Sequence, residues 1–173
     1  MLSASVTSLK TKNAAMLLFT AIANKNVDGQ VLAGNHCLCF LCELFSLATL
    51  NGGTELDWID NIDGSSRQML SHIIRVLCAC ISNPHDDENK SLCARLMPHI
   101  LHLIDGCIDV DVEFLPQATL LLNCLLEDNL QNKEIAIQAN GLDVLLTCLI
   151  KVEGSALVRR VHLAICHNAT VDA

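Results

Sequence analysis

Aromatic side chains are scarce. Tyrosine is absent, tryptophan occurs once as Trp58, and aromatics make up 3% of the 173 residues. A core must therefore be assembled from Leu, Ile, Val, Ala and Cys. That inventory suits closely packed helices better than a β-sandwich, where aromatics and Thr/Val alternation are expected. Long apolar runs are missing too. The run His36–Cys42, continued by Leu44–Asn51 past Glu43, falls short of the roughly 20 apolar residues that a membrane span needs. A hydrophobic content of 51% and a mean hydropathy of +0.41 then point to several apolar helix faces, with no membrane partner expected. Basic charge is also in short supply, with 11 Lys+Arg against 19 Asp+Glu and a net charge of −8. Such a field repels phosphate backbones, so no nucleic acid is expected as partner; a basic or mixed-charge peptide fits better.

Cysteine, by contrast, is plentiful at ten residues. Their spacing gives no small disulfide scaffold, and most sit among Leu and Ile. The start, Met1–Lys12, lacks the continuous apolar stretch of a secretory signal. Free thiols used as small hydrophobes in a reducing compartment, cytoplasmic or nuclear, are the natural reading. A chain of this length buries a sizeable core without disulfides or metals, and no cofactor is expected.

Periodicity is helical throughout. Asn13–Asn24 carries Ala14, Leu17, Leu18, Ala21 and Ile22 on one face. Val27–Ala33 follows, ending at Gly34 as a C-cap, and Asn35 caps a helix from His36 to Leu50. Asn51-Gly52-Gly53 stops it, and the acidic stretch Thr54–Gly64 around Trp58 reads as a loop. Ser65 or Ser66 caps a helix to Ser82, with Leu70, Ile73, Ile74, Leu77 and Ile81 on one stripe. Asn83-Pro84 breaks it. Asp86-Asp87-Glu88 opens the next helix, Met97-Pro98 starts another, and Asp105-Gly106 ends that one. Pro116 lies near the start of Gln117–Glu127. A short helix around Lys133–Gln138, Asn140-Gly141, the helix Leu142–Lys151, Glu153-Gly154-Ser155 and a last helix, Ala156–His167, complete the chain.

Read in order, the helices recur as short, medium and long, with a half unit at 12–25 and units at about 27–83, 86–128 and 131–169. A period near 40 residues is that of an α-solenoid. Ala118–Leu125, with Asn123 inside it, is followed by Asn132, Ile135, Gly141-Leu142, Leu145-Leu146 and Leu149. This run resembles the armadillo repeat family and its HEAT-like relatives. Asn24 after Ile22, then Gly34, Leu38 and Leu41, is similar, as is Met97-Pro98-His99-Ile100-Leu101. The resemblance implies an all-α, right-handed α-solenoid of about three armadillo-like repeats. It also implies that the third helices line a concave groove where a protein segment docks. Asn24, Asn123 and Asn168 occupy the family's groove-asparagine positions, interrupted by Cys78-Ala79-Cys80. Arg75, Arg159 and Arg160 on the long helices are candidates for contacting carboxylates, as is Arg67, and Glu127 closes the third helix of its unit as a further partner-binding candidate. The long helices carry none of the groove tryptophans of nuclear-import receptors, which argues against that role. A lone long helix at one end and another near the other suggest a piece of a longer array or a self-associating module.

Other constellations favour a structural reading. Residues two apart on a helix point about 200° away from each other, so Cys37 and Cys39 cannot share an ion. Cys39 and Cys42 would need Cys78 or Cys80 to complete a metal site, and core packing explains them more simply. His99, His102 and Asp105 share one face at a spacing that can hold a metal, although a solvated or groove-lining role is commoner. Asp57, Asp60 and Asp63 around Trp58 read as a solvated insertion or docking loop. There is no nucleophile signature and no phosphate-binding glycine loop, so no enzyme is expected. The expected function is a protein-interaction scaffold, and the alternative is self-association within a larger assembly.

Overall fold

The computed structural model describes residues 14–15, 17–22, 24, 26–50, 64–82, 87–110 and 114–151. Among these the regular elements are all helical. Residues 17–22 are helical, and α1 (Val27–His36), α2 (Leu38–Leu50) and α3 (Gly64–Ile81) follow. Next come α4 (Asp87–Cys93), a 3₁₀ turn (Ala94–Leu96), α5 (Met97–Val110) and α6 (Leu115–Leu126). The last two are α7 (Leu130–Gln138) and α8 (Gly141–Lys151). No helix here is long and apolar enough to cross a membrane.

α2, α3 and α6 bury the apolar stripe that their period dictates. Leu70, Ile73, Ile74, Leu77 and Ile81, the stripe read from the sequence of α3, are all buried. On α2 the buried set is Leu38, Leu41, Cys42 and Phe45, at i, i+3, i+4 and i+7. On α6 it includes Ala118, Leu121, Leu122 and Leu125. These residues belong to one continuous aliphatic and cysteine cluster. At roughly 1.5–3 kcal/mol for each fully buried Leu or Ile, this cluster is the dominant favourable contribution to stability.

Packing links elements far apart in sequence. α3 lies against α6, α5 against α8, and α2 touches both α4 and α5. Within a unit, α2 packs on α3 and α5 on α6.

Buried amides repeat the same bonds at each junction, a feature the sequence reading missed. Asn89 Nδ2 donates to Gln30 O at 3.0 Å and to Cys80 O at 3.2 Å. Asn132 Nδ2 donates to Lys90 O at 3.2 Å and to Leu125 O at 2.9 Å. In each case a short helix reaches back to the preceding short helix and to the end of the preceding long one. At the corresponding place in α1 stands Gly29, where a Cβ would lie 2.6 Å from Ile22 O. There the backbone itself makes the close approach. The caps repeat as well: Gly29 N donates to Asn26 Oδ1 at 3.3 Å, and Asn132 N to Asn129 Oδ1 at 2.9 Å.

Several expected boundaries are corrected. Gly34 does not end the first short helix and Asn35 does not begin the next, because both lie inside α1, which runs on to His36. Ser65 and Ser66 lie inside α3, which begins at Gly64. Asp105-Gly106 lies within α5, which continues to Val110. Burial of Leu103, Ile104, Cys107 and Ile108 on either side of this pair holds the helix through the glycine. The loop around Trp58 with Asp57, Asp60 and Asp63, the Asn83-Pro84 break and the helix Ala156–His167 lie outside the described residues.

Candidate functional site

The long helices form a groove of about 830 Å³. Its walls follow helical spacing. Leu17, Thr20, Ala21 and Asn24 come from the first long segment. Ser71, Ile74, Arg75 and Cys78 come from α3, Ser82 from just past its end, and Gln117, Leu120 and Cys124 from α6. Residues three, four and seven apart lie on one helix face, so each wall presents one stripe. Ser71 Oγ donates to Gln117 Oε1 at 2.6 Å and ties α3 to α6 across the floor.

The groove is mixed in character. Leu17 and Leu120 are 48% and 45% exposed, a large apolar area left open to solvent beside the charged head of Arg75. Beside it on α3, His72 is buried, and burial together with the positive charge of Arg75 holds its imidazole below the ordinary range. Of the groove residues expected from the sequence, Asn24 and Arg75 are exposed and line this one space. Asn123 is half-buried on α6 next to Cys124. Its carbonyl accepts from Glu127 N at 2.9 Å. Glu127 is exposed at the end of α6, where its backbone carbonyl accepts a bond from Lys90 Nζ. Lys90 is itself only 1% exposed, an ammonium group spent on the end of a helix. Arg159, Arg160 and Asn168 lie outside the described residues.

The histidine face on α5 is split. His99 is half-buried with Nδ1 3.4 Å from Thr49 Oγ1, and burial, followed by the nearness of His102, holds it below its ordinary range. His102 and Asp105 are exposed and border a second cleft of about 550 Å³, with Leu101, Ile135 and Val144 among its walls. Among the described residues, no three or more His, Cys, Asp or Glu side chains come together in a way that could hold a metal ion. Cys39 is exposed whereas Cys42 is buried, and the neighbour of Cys42 is Cys93.

The fold and groove thus define an all-helical protein with an open, mixed apolar and cationic surface on its long helices. The chain is similar to the telomere repeats-binding bouquet formation protein 1 of Homo sapiens, at 27% identity over 169 residues. That alignment covers 96% of this chain and 23% of the human protein. The protein of the same description from Mus musculus is 28% identical over 170 residues, covering 96% of this chain and 21% of the mouse protein. The chain therefore spans under a quarter of the length of these relatives. No family model matches the chain, and no solved structure matches it significantly.

Proposed function

We propose that this chain is a protein-interaction scaffold of a nuclear, telomere-associated assembly, and that a segment of a protein partner docks along its long-helix groove. The observation that carries this reading is the groove itself: exposed Leu17 and Leu120 beside Arg75 and Asn24, with polar and apolar groups alternating along three helices. The telomeric setting comes from the printed name of the relatives. We read the architecture as a right-handed α-solenoid of about three armadillo-like repeats. The recurring Asn89 and Asn132 bonds and the packing of α3 on α6 and of α5 on α8 support that reading. We take the chain to be non-catalytic and without a cofactor. The name of the relatives speaks of telomere repeats, but the net charge of −8 favours a basic or mixed-charge protein as this segment's partner over DNA.

The test is localisation of the tagged chain in nuclei against a telomere-repeat probe. The chain should coincide with the probe, and the pair Arg75→Glu with Leu120→Asp should disperse it while leaving its helicity intact. A dispersed parent chain removes the telomeric setting; a double variant that still coincides with the probe removes the groove.

A second reading, self-association, is favoured by the open apolar residues of the first two helices. Val27 and Val31 on α1 are 59% and 53% exposed, and Phe40 and Leu47 on α2 are 60% and 55%. Light scattering over a range of concentrations tests it, and a persistent monomer removes it.

A further inference from the structure

Two thiols meet where the first unit touches the second. Cys42 comes from the buried face of α2 and Cys93 from the last residue of α4, 51 positions along the chain. Their sulfurs are 3.7 Å apart and both side chains are buried. Exposed residues lie beside the pair. Arg95, exposed in the 3₁₀ turn that follows α4, donates from Nη2 to the backbone O of exposed Cys39 at 2.9 Å, which holds its guanidinium against α2.

The two sulfurs are not equivalent. The hydrogen bond from Cys93 and then the Arg95 guanidinium draw the Cys42 thiol below its ordinary range, against the effect of burial. The same bond, with burial, pushes Cys93 well above it. The bond of the Arg95 guanidinium to Cys42 favours Cys42 as the attacking sulfur.

We propose that Cys42 and Cys93 are a site of reversible disulfide modification, oxidised by hydrogen peroxide, that fastens α2 to α4 across the junction between units. The Cys42 thiolate attacks one peroxide oxygen, the O–O bond breaks, and the departing hydroxide takes up a proton and leaves as water. The Cys42 sulfenic acid is then attacked by the Cys93 sulfur. The S–O bond breaks, the S–S bond forms, and a second water leaves carrying the Cys93 proton. In sum, two thiols and one peroxide give one disulfide and two waters, with both sulfurs oxidised and the peroxide reduced. To bond, the sulfurs must close from 3.7 Å to about 2.05 Å.

The test is mild hydrogen peroxide treatment of the folded chain, followed by intact mass and peptide mapping under thiol-blocking conditions. The mass should fall by two hydrogen atoms, the first linked pair should join Cys42 to Cys93, and dithiothreitol should restore both. Oxidised chain should melt at a higher temperature than reduced chain, since the bond closes a long loop. Cys93→Ala should leave no such linked pair. Arg95→Gln, which keeps both sulfurs, should slow bridge formation several-fold while the fold, read by circular dichroism, is unchanged. A first bridge elsewhere, such as Cys78 to Cys124 in the groove, overturns the proposal, as does a parent chain that gains oxygen at Cys42 without forming a bridge. An unchanged rate in Arg95→Gln overturns the role given to the arginine.

Discussion

Asn132 is 1% exposed, yet it carries two amide protons and points them at two backbone carbonyls from different helices. Replacing it with alanine removes both donors and leaves buried acceptors unmatched, at about 1–3 kcal/mol. Urea unfolding of Asn132→Ala should show that loss; an unchanged midpoint would mean that the amide bonds do not hold the junction. Asn89→Ala should behave alike, because its bonds are the same in kind. Titratable groups act on the same scale. Burial holds His72 and His99 below their ordinary range. Between those lowered values and the unfolded value of about 6.5, the unfolded chain carries protons that the folded chain does not. Stability should therefore rise with pH through that window and level off above and below it. Melting temperatures across mildly acidic pH check this, and His72→Gln should flatten the slope. Cys107 gives the opposite limb: burial pushes its thiol up to about 12. Above about pH 9 the unfolded thiol ionises while the folded one does not, so stability should decline in alkali. None of these roles was legible in the sequence, where Asn132 stood only as part of the repeat-like run and Asn89 was not singled out. Their burial depends on contacts 42 to 59 positions away.

At the scale of elements, the apolar stripes were legible and the ends were not. The stripe of α3 was read residue for residue, because a five-member period of Leu and Ile has one helical interpretation. Gly34 and Asp105-Gly106 looked like stops because glycine and aspartate commonly end helices, but at Asp105-Gly106 buried neighbours on both sides outweigh a propensity cost of about 1 kcal/mol. Asn140-Gly141 did mark a real turn. Asn140 takes φ 61°, and a Cβ on Gly141 would lie 2.7 Å from Ala136 O. Gly141→Ala should thus push α8 off the end of α7 and cost about 1–3 kcal/mol, visible as a lowered melting temperature. A neutral outcome would mean that α7 and α8 shift freely against each other.

At the scale of the whole molecule, the acidic balance bears on the class of partner. With a net charge of −8, duplex DNA of telomere-repeat sequence should not be retarded by the chain in a gel at physiological salt. Retardation that weakens steeply with added salt would sink the protein-partner reading. The aliphatic, aromatic-poor composition and the 3.6-residue period by themselves determined that the regular elements among the described residues are helical, because no other regular structure buries such stripes. Charge by itself set the expected partner class. Tertiary structure alone decided that Asn24 and Arg75 share one space while Asn123 sits to its side. It alone brought Cys42 to Cys93 and turned polar asparagines inward at each junction. The physical reason is that periodicity fixes which face of a helix is apolar, whereas the meeting of two polar groups depends on how far one helix slides and turns on the next.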